Sequence, residues 1–236
     1  MIDWKRRCET LQQELVSLLH SVSHDLRAPL RAADGFSRVL LTRHAAELDP
    51  QGLDYLQRIR AATAQMGGHI EALTRLARVT TAEVRRSRVD LAACARSAVD
   101  ELRDAEPERL VEVRIADGLE VEADQALMRT LVQNLISNAW KFTRNSPAAT
   151  IEVGRKPADE PTFFVRDSGV GFDMAFARHL FEPFGRVHPE ADYPGVGIGL
   201  AICRRIVNRH GGRIWADAAP DKGATFWFTF GELETE

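Results

Sequence analysis

The sequence predicts a multi-domain α plus α/β protein, in which a helical hairpin precedes an α/β sandwich. Apolar residues recur at intervals of three and four through residues 3–43 and again through residues 53–79, which is typical of amphipathic helices. Helix-like and strand-like segments then alternate, which is typical of layered α/β structure. The polar, arginine-rich residues 81–90 lie between the two patterns and are the predicted linker. We therefore expect one domain at residues 1–82 and a second at residues 83–236.

Composition and charge fit two globular units and exclude several classes of function. The chain has 236 residues, of which 44% are hydrophobic and 28% are charged, as in ordinary globular proteins. Residues up to Arg88 carry 14 basic and 10 acidic side chains, whereas residues 89–236 carry 17 basic and 24 acidic side chains. Neither imbalance makes the concentrated basic surface that nucleic-acid binding needs, so we expect no nucleic-acid partner.

Nothing in the sequence indicates a membrane segment or secretion. No stretch of about 18 consecutive apolar residues is present, so we expect no membrane segment in this chain. The charged N-terminal segment lacks the apolar core of a secretory signal. The three cysteines, Cys8, Cys94 and Cys203, are far apart, which fits a reducing compartment. The predicted location is the cytoplasm.

The first predicted helix carries a narrow apolar stripe. The stripe is compatible with a helix packed on any core, or more specifically with a parallel coiled coil. The apolar pattern continues after Pro29, so we expect this proline to bend the helix and not to end it. The members of the stripe, spaced by four and three residues, are Trp4, Cys8, Leu11, Leu15, Leu18 and Val22.

A predicted turn at residues 47–52 connects this helix to the second one, whose apolar positions include Leu56, Ile59 and Ile70. Two helices joined by a short loop form a hairpin with one apolar face exposed. The hairpin is too thin to bury that face alone. We therefore expect two copies to associate as a four-helix bundle.

The second half of the chain alternates between two periodicities. Helical spacing is strongest at residues 124–142, whereas residues 111–115 alternate between apolar and polar as strands do. A segment rich in Gly, Pro and His at residues 181–195 fits neither pattern and is a predicted loop. Helices are predicted at residues 91–102, 124–142 and 199–210, and strands at 111–115, near Val121, and at 150–154, 162–166, 213–218 and 225–230.

One histidine on the first helix has a setting that suggests chemistry. His24 lies in the segment SHDLRAPL, residues 23–30, next to the carboxylate of Asp25. At about 100° per residue, His24 points away from the apolar stripe and into solvent. A neutral imidazole nitrogen is a good phosphoryl acceptor, and Asp25 can take the proton from the other ring nitrogen. The alternative is a surface histidine, which is our interpretation of His20, His44, His69, His179, His188 and His210.

The segment SHDLRAPL resembles the H box of sensor histidine kinases of two-component systems. The hairpin around it resembles the dimerisation and phosphotransfer domain of that family. The segments HDLRAPL, residues 24–30, and NAWKFT, residues 138–143, are similar to the corresponding segments of hybrid and phytochrome-like kinases. The resemblance implies that His24 is autophosphorylated and that Asp25 assists.

A second group of polar residues interrupts the apolar helix in the second domain. Asn134, Asn138 and Lys141 are spaced by four and three residues and so share one face. Helix capping or a surface stripe is the alternative interpretation. An amide oxygen can also enter a Mg²⁺ shell, and a lysine can meet phosphate. The segment QNLISNAWKFT, residues 133–143, resembles the N box, which implies that Asn138 is the Mg²⁺ ligand and that all three residues bind the nucleotide.

The segment RDSGVGF, residues 166–172, places a carboxylate before two glycines directly after a predicted strand. A segment of this kind is also a common turn. It resembles the first glycine box of the family, which implies that Asp167 accepts a hydrogen bond from the adenine amino group. Gly169 and Gly171 then let the chain pass close to the base.

A second glycine-rich segment, GVGIGL at residues 195–200, opens a predicted helix. It is not a P-loop, because no Gly-Lys-Ser/Thr follows, and its spacing differs from the dinucleotide-binding GxGxxG. It resembles the second glycine box, where backbone N–H groups meet an anion at a helix N-terminus. The residues that this resemblance assigns to nucleotide binding are Gly195, Gly197, Gly199 and Leu200.

Two further segments complete the resemblance. FEPFGRVH, residues 181–188, resembles the F box at the start of a mobile lid over the nucleotide. There Phe184 and Arg186 are assigned to nucleotide binding, and Arg186 reaches the phosphates. KGATF, residues 222–226, resembles the closing segment, in which Thr225 helps to hold the adenine.

With five boxes and a closing segment in family order, the chain resembles the catalytic core of a sensor histidine kinase, whose second domain has the histidine kinase and gyrase-like ATPase fold. The resemblance implies ATP-dependent autophosphorylation on His24, followed by phosphoryl transfer to an aspartate of a separate response-regulator receiver domain. It also implies ATP and Mg²⁺ as cofactors, a homodimer, and an upstream sensor domain outside this chain. The chain is then cytoplasmic, by itself or as the cytoplasmic part of a larger sensor.

Two alternative functions stay open. The first is a non-phosphorylating dimeric ATPase, related to gyrase and heat-shock chaperones, although those proteins lack an H-box hairpin. The second is a pseudokinase signalling scaffold, although no box residue is missing.

The sequence departs from the family pattern at Ala28, four residues after His24, where many family members that dephosphorylate their partner carry Thr or Asn. We therefore expect strong kinase and weak phosphatase activity.

Overall fold

The computed structural model describes residues 4–156, 161–189, 193 and 195–231. The chain divides into two compact units, the first ending at Thr81 and the second beginning at Ala82. No helix in the described ranges is both long enough and apolar enough to cross a lipid bilayer. Four side chains used in the predictions above lie outside the described part: Trp4, Cys8, Leu15 and His20.

The first unit is a helical hairpin, as predicted. Helix α1 spans Trp4–Arg43 and continues through Pro29, a short 3-10 helix spans Ala45–Glu47, and helix α2 spans Pro50–Thr81. Helix α2 begins earlier than predicted. A proline is well suited to the first position of a helix, because the N–H that it lacks has no partner there.

The two helices of the hairpin meet along small and apolar side chains. On α2 the buried residues Leu56, Thr63 and Ile70 are spaced by seven and form one seam. Asp34 of α1 adds a polar connection, since it accepts a hydrogen bond from Nε of Arg60 on α2 at 3.1 Å. Because this ion pair is partly exposed, the apolar seam contributes most of the stability of the hairpin.

A second apolar surface of the hairpin stays exposed, and we call it the apolar hairpin surface. The exposed fraction is 61% for Leu18, 47% for Val22 and 73% for Phe36, which share one side of α1 by helical spacing. Exposed apolar area of this extent marks an interaction surface. Its members are Leu11, Leu18, Val22, Leu26, Phe36, Val39, Leu40, Tyr55, Ile59 and Met66.

The second unit is an α/β sandwich, which confirms the predicted fold class. The helices are α3 at Leu91–Ala105, α4 at Gln125–Phe142 and α5 at Gly199–Arg209, with a short 3-10 helix at Met174–His179 that the sequence did not predict. The strands are β1 at Arg86–Asp90, β2 at Glu112–Ile115, β3 at Glu120–Asp124, β4 at Thr150–Lys156, β5 at Thr162–Asp167, β6 at Ile214–Ala218 and β7 at Ala224–Phe228.

The strands of this unit form two sheets. The larger sheet has the order β2-β4-β5-β7-β6, with a parallel pair only between β2 and β4, and β1 pairs separately with β3. Helix α4 packs against α3, α5 and β5 and so occupies the centre of the helical layer. The polar face of α4 and the end of β5 are thereby brought to the same region.

The prediction that residues 81–90 form a linker is wrong in its second half. Strand β1 occupies Arg86–Asp90 and pairs antiparallel with β3, so that Val89 lies opposite Val121. Val89 is fully buried, and Asp90 caps helix α3 by accepting hydrogen bonds from two backbone N–H groups. A single apolar residue among polar ones indicates no strand, because the partner that buries it is distant in the sequence.

The interpretation of His210 as a surface histidine is also wrong. His210 is fully buried, its Nε2 accepts a hydrogen bond from the N–H of Asp124 at 3.1 Å, and its Nδ1 lies 2.8 Å from the carbonyl oxygen of Ile206. Burial lowers the pKa of His210, which favours the neutral ring with its proton on Nδ1. The ring thus connects the start of α4 to the end of α5.

Candidate functional site

The predicted phosphoryl acceptor lies on α1 and is open to solvent. The side chain of His24 is 84% exposed and that of Asp25 is 76% exposed. Nδ1 of His24 lies 3.2 Å from Oδ1 of Asp25. With the proton on Nδ1, this contact leaves the lone pair of Nε2 free to attack an electrophile. An exposed pair of this kind contributes little to stability.

Helix α4 carries the second group of predicted residues. Its first turn is capped by Asp124, whose side chain accepts hydrogen bonds from two backbone N–H groups. Its apolar face, which includes Leu131, Leu135 and Ile136, is completely buried and orients the helix. A half-buried face of the same helix carries Asn134, Asn138 and Lys141.

Asn134 faces the start of helix α5. Its Nδ2 donates a hydrogen bond to the carbonyl of Thr130 at 2.8 Å, which directs Oδ1 away from the helix backbone. A Cβ placed on Gly199 would lie only 3.0 Å from that oxygen, so glycine lets the first turn of α5 approach closely. The second glycine segment and the polar face of α4 therefore belong to one site.

Lys141 is a half-buried cation beside the same glycine segment. Its Nζ lies 4.2 Å from the centre of the Phe142 ring, and a Cβ placed on Gly195 would lie 3.5 Å from it. Burial, reinforced by the positive charge of Arg186, lowers the pKa of Lys141 to about 8. A desolvated lysine with a second cation nearby favours the binding of an anion.

Asp167 is a buried carboxylate at the end of β5. Only 5% of the residue is exposed, and Oδ1 accepts a hydrogen bond from the N–H of Gly169 at 2.8 Å. Burial raises the pKa of Asp167 to about 6, although the hydrogen bonds from the backbone of Gly169 and Ala224 act in the opposite direction. A carboxylate in this setting favours a ligand that donates a hydrogen bond to it.

The turn after β5 is connected to the end of α4. The N–H of Val170 donates to the carbonyl of Phe142 at 3.3 Å, and a Cβ placed on Gly169 would lie 2.5 Å from that carbonyl oxygen. Gly171 has a φ of 55°, and a Cβ there would lie 2.0 Å from the carbonyl oxygen of Ala219. Close backbone packing therefore requires glycine at both positions.

In the predicted lid, Arg186 contacts the backbone of its own segment. Its guanidinium donates hydrogen bonds to the carbonyl of Tyr193 at 2.9 Å and to that of Gly195. Arg186 thus joins the two ends of its own loop, and its predicted contact with phosphate stays a prediction. Phe184, with a φ of 66°, and Gly197, with a φ of 73°, both have left-handed backbone conformations in this segment.

Two of the predicted nucleotide residues differ in how well they fit this site. Leu200 is half-buried in the first turn of α5, beside the glycine segment. Thr225 lies on the opposite face of the sheet from Asp167, because the register pairs Thr225 with Arg166 and Ala224 with Asp167. Its Oγ1 accepts a hydrogen bond from Nε of Arg166 at 3.2 Å. We therefore leave Thr225 out of the site.

Three aromatic rings beside Lys141 complete the surroundings of the site. The rings of Phe142, His188 and Tyr193 have centroids between 5.1 and 5.4 Å apart, so they join the end of α4 to the lid segment. His188 is half-buried in this cluster and is not the solvated surface histidine that the sequence suggested. The only signal for this cluster in the sequence is that two aromatic residues lie in a segment rich in Pro and Gly.

Comparison with known families assigns both units. Residues 14–82 match the His Kinase A (phospho-acceptor) domain, and residues 123–234 match the histidine kinase-, DNA gyrase B- and HSP90-like ATPase family. A phospho-acceptor hairpin followed by an ATPase domain defines a histidine kinase. The chain belongs to the sensor histidine kinases and has their catalytic core.

Relatives of known name agree with this family. The chain is 30% identical to the phytochrome-like protein Cph1 of Synechocystis sp., over 95% of this chain and 30% of the relative. It is 34% identical to the methanogenesis regulatory histidine kinase FilI of Methanothrix harundinacea, over 94% of this chain and 25% of the relative. It is 33% identical to the adaptive-response sensory kinase SasA of Parasynechococcus marenigrum, over 90% of this chain and 55% of the relative. The chain thus spans only part of the length of these relatives.

Solved structures share the fold. Full-length ShkA in complex with AMPPNP matches with a TM-score of 0.63 and 24% identity, over 92% of this chain and 47% of ShkA. The histidine kinase ThkA in complex with the response regulator protein TrrA matches with a TM-score of 0.64 and 19% identity, over 100% of this chain and 69% of ThkA. At these identities the likeness shows the fold.

Proposed function

We propose that this protein uses ATP to phosphorylate His24 and then passes the phosphoryl group to an aspartate of a separate response-regulator receiver domain. In this proposal residues 1–82 form the dimerisation and phosphotransfer domain, and residues 83–236 form the ATP-binding domain. The observation that carries the proposal is the presence in one chain of an exposed His24 beside Asp25 and of a half-buried Lys141 beside the glycine segment.

The nucleotide is proposed to bind among α4, the turn after β5 and the first turn of α5. Asp167 accepts a hydrogen bond from the adenine amino group, for which a buried carboxylate acceptor is well suited. Lys141 contacts the phosphates, and the glycine backbone from Gly195 to Gly199 approaches them closely. Arg186 joins the phosphate contacts when it releases the loop carbonyls that it binds here.

Asn138 is the proposed ligand for Mg²⁺. Mg²⁺ takes oxygen ligands and keeps several positions for water and phosphate, so one or two protein oxygens are enough. The amides of α4 fit this requirement, because Asn134 uses its Nδ2 on Thr130 and directs its oxygen toward the site, and Asn138 lies one turn further on the same face. When bound there, Mg²⁺ offsets phosphate charge that Lys141 alone would only partly neutralise.

The chemical step follows from the contact between His24 and Asp25. Nε2 of His24 attacks the γ-phosphorus, so that an N–P bond forms as the bond from phosphorus to the β,γ-bridging oxygen breaks, and ADP leaves with the electron pair. The proton on Nδ1 stays hydrogen-bonded to Asp25, which stabilises the positive charge that develops on the ring. The receiver aspartate later takes the phosphoryl group from the same nitrogen.

The apolar hairpin surface supports the proposed homodimer. Fully burying a side chain such as Phe36 stabilises an interface by about 1.5–3 kcal/mol, and this surface offers several such residues on α1 and α2. A second copy of the hairpin provides the matching apolar surface, which gives a four-helix bundle. The solvent-exposed side of α1 at His24 then stays accessible to a receiver domain, as expected for a partner such as the one that ThkA binds.

The test is to incubate the protein with γ-labelled ATP and Mg²⁺ and to follow label on the protein. We expect acid-labile, alkali-stable label that disappears in His24→Ala and persists in the control His44→Ala, another partly exposed hairpin histidine. Label that survives in His24→Ala contradicts the proposal. ATP turnover without any labelled protein would favour the dimeric ATPase, and absence of nucleotide binding would favour the scaffold.

A further inference from the structure

A mostly buried arginine contacts the end of the helix that carries the nucleotide residues. Arg109 lies between α3 and β2, and its side chain is only 14% exposed. Its Nη2 donates a hydrogen bond to the carbonyl of Trp140 and another, at 3.0 Å, to the hydroxyl of Thr143. The guanidinium carbon lies 4.8 Å from the centre of the Trp140 ring. Three interactions therefore join Arg109 to the last turn of α4.

These contacts satisfy the C-terminus of α4. The last carbonyls of a helix have no partner within the helix and carry partial negative charge, so a cation that donates to them is favourable. Thr143, which is 1% exposed, extends the contact by donating to the carbonyl of Ala139 at 2.7 Å. Glu106 anchors Arg109 through an ion pair at 3.4 Å. The result is a small buried network around residues 139–143.

The same turn of α4 builds the nucleotide site on its other side. Lys141 follows Trp140 directly, and the carbonyl of Phe142 accepts the hydrogen bond from Val170 in the turn after β5. A displacement of this turn would move the phosphate-binding lysine and the adenine side of the site together. We infer that Arg109 is a positioning residue for nucleotide binding, an inference that rests on the function proposed above.

The test measures ADP binding in the presence of Mg²⁺ by calorimetry, using the full chain. Arg109→Met keeps much of the side-chain length and removes the charge and the donors, so we expect the dissociation constant to rise about tenfold. Arg109→Lys keeps the charge and one donor, and we expect it to recover part of the affinity. The matched control is Arg88→Met on β1, where the arginine side chain is 73% exposed and pairs with Glu120, and we expect it to bind ADP as the unaltered chain does.

A second readout separates positioning from a general loss of stability. Burial lowers the pKa of Lys141 from 10.5 to about 8, so ADP binding weakens as the pH rises through this value. If Arg109→Met loosens the turn, Lys141 gains access to water and its pKa rises. The alkaline limb of the binding profile then moves to higher pH. A merely structural role for Arg109 leaves the limb in place.

The outcomes are distinguishable from failure of the proposed function. If the unaltered chain binds ADP, and Arg109→Met stays within about twofold of it with the alkaline limb unchanged, the inference is overturned. If the unaltered chain binds no ADP, the proposed function fails instead. Should Arg109→Met fail to fold by circular dichroism, Glu106→Gln weakens the anchor and keeps the donors. For Glu106→Gln we then expect a smaller increase in the dissociation constant for ADP. An unchanged dissociation constant overturns the inference.

Discussion

The two units of this chain bury their apolar residues to very different degrees. Among the described residues, ten of the fourteen large apolar side chains that stay exposed lie on the hairpin. The largest fully buried side chains, among them Leu135, Ile206 and Phe228, all lie in the α/β unit. The α/β unit therefore has a complete core of its own. The hairpin has an exposed apolar surface that a second copy of the hairpin can cover.

The chemistry of the two units differs in the same way. His24 of the hairpin is 84% exposed, which fits the proposal that it contacts first a nucleotide and then a receiver domain. Asp167 and Lys141 of the α/β unit lie in partly or mostly desolvated positions, where burial shifts the pKa of each toward neutrality. In the proposed mechanism, exposure serves phosphoryl transfer in the hairpin, and burial serves nucleotide binding in the α/β unit.

The largest effect is expected from a charge placed on the apolar hairpin surface. Phe36→Glu removes an apolar group and would bury a carboxylate in the proposed dimer interface, so we expect the dimer dissociation constant to rise by at least about 100-fold. Sedimentation equilibrium measures this change. ADP affinity should stay the same, because the α/β unit has its own core.

The matched control is Gln13→Glu, which adds the same charge at an exposed position on the opposite side of α1 by helical spacing. It should leave the dimer intact. A Phe36→Glu chain that is as dimeric as the unaltered one would show that this surface is not the interface. Loss of ADP binding in that variant would contradict the independence of the two units.

The second prediction concerns the buried carboxylate of the α/β unit. Asp167→Asn removes a charged acceptor, so we expect ADP to bind about 10- to 100-fold more weakly by calorimetry. The pKa of Asp167 is raised to about 6, so the folded state disfavours its charged form at neutral pH, and the substitution should not lower the melting temperature.

Asp117→Asn serves as the control for this substitution, because the side chain of Asp117 is fully exposed. It should change neither ADP affinity nor melting temperature. Dimerisation of the hairpin should be unaffected in both variants. A melting temperature that falls sharply in Asp167→Asn, with ADP affinity retained, would mean that this carboxylate serves the fold and not the ligand.

Local patterns in the sequence predicted much of the fold and part of the site. The exposure of His24 and the shared face of Asn134 and Lys141 follow from helical spacing alone, because neighbours on a helix are close in sequence. The hairpin and the sandwich follow from the same periodicities. Strand β2 follows from the alternation of apolar and polar residues at 111–115.

The features that the sequence did not predict all depend on distant partners. Strand β1 needs β3 to bury Val89, and His210 is buried between the ends of two helices. Thr225 was placed in the site, although a shift of one residue along β7 puts Ala224 beside Asp167 and turns Thr225 to the other face. Arg109 has no local pattern at all, since its partners lie on α4.

The third prediction is a bell-shaped pH profile for ADP binding. Below about pH 6 Asp167 of the free protein takes up a proton and ceases to be a charged acceptor, and above about pH 8 Lys141 loses its positive charge. Each limb should approach a tenfold change in affinity per pH unit. Calorimetry between pH 5 and 9.5 measures the profile, and titration of the phosphates of ADP is common to all variants.

Single substitutions separate the two limbs of this profile. Asp167→Asn should remove the part of the acid limb that comes from the protein. Lys141→Arg should move the alkaline limb beyond the measured range, because the pKa of a guanidinium is far higher. An alkaline limb that persists in Lys141→Arg would assign it to another group and would contradict the role of burial at Lys141.

The smallest effect is expected within the hairpin, at the exposed Ala28, one turn after His24. Without a polar group there to orient water, we expect a phosphorylated receiver domain to lose its label at close to its spontaneous rate in the presence of this protein. Ala28→Thr places a hydroxyl on the same face as His24 and should raise that rate, by up to about tenfold. Ala32→Thr, at an exposed position one turn further on, should leave it unchanged, because its hydroxyl lies too far from the imidazole. Rapid loss of label with the unaltered protein would mean that a group other than residue 28 orients the water. The exposed hairpin would then contain more catalytic apparatus than His24 and Asp25.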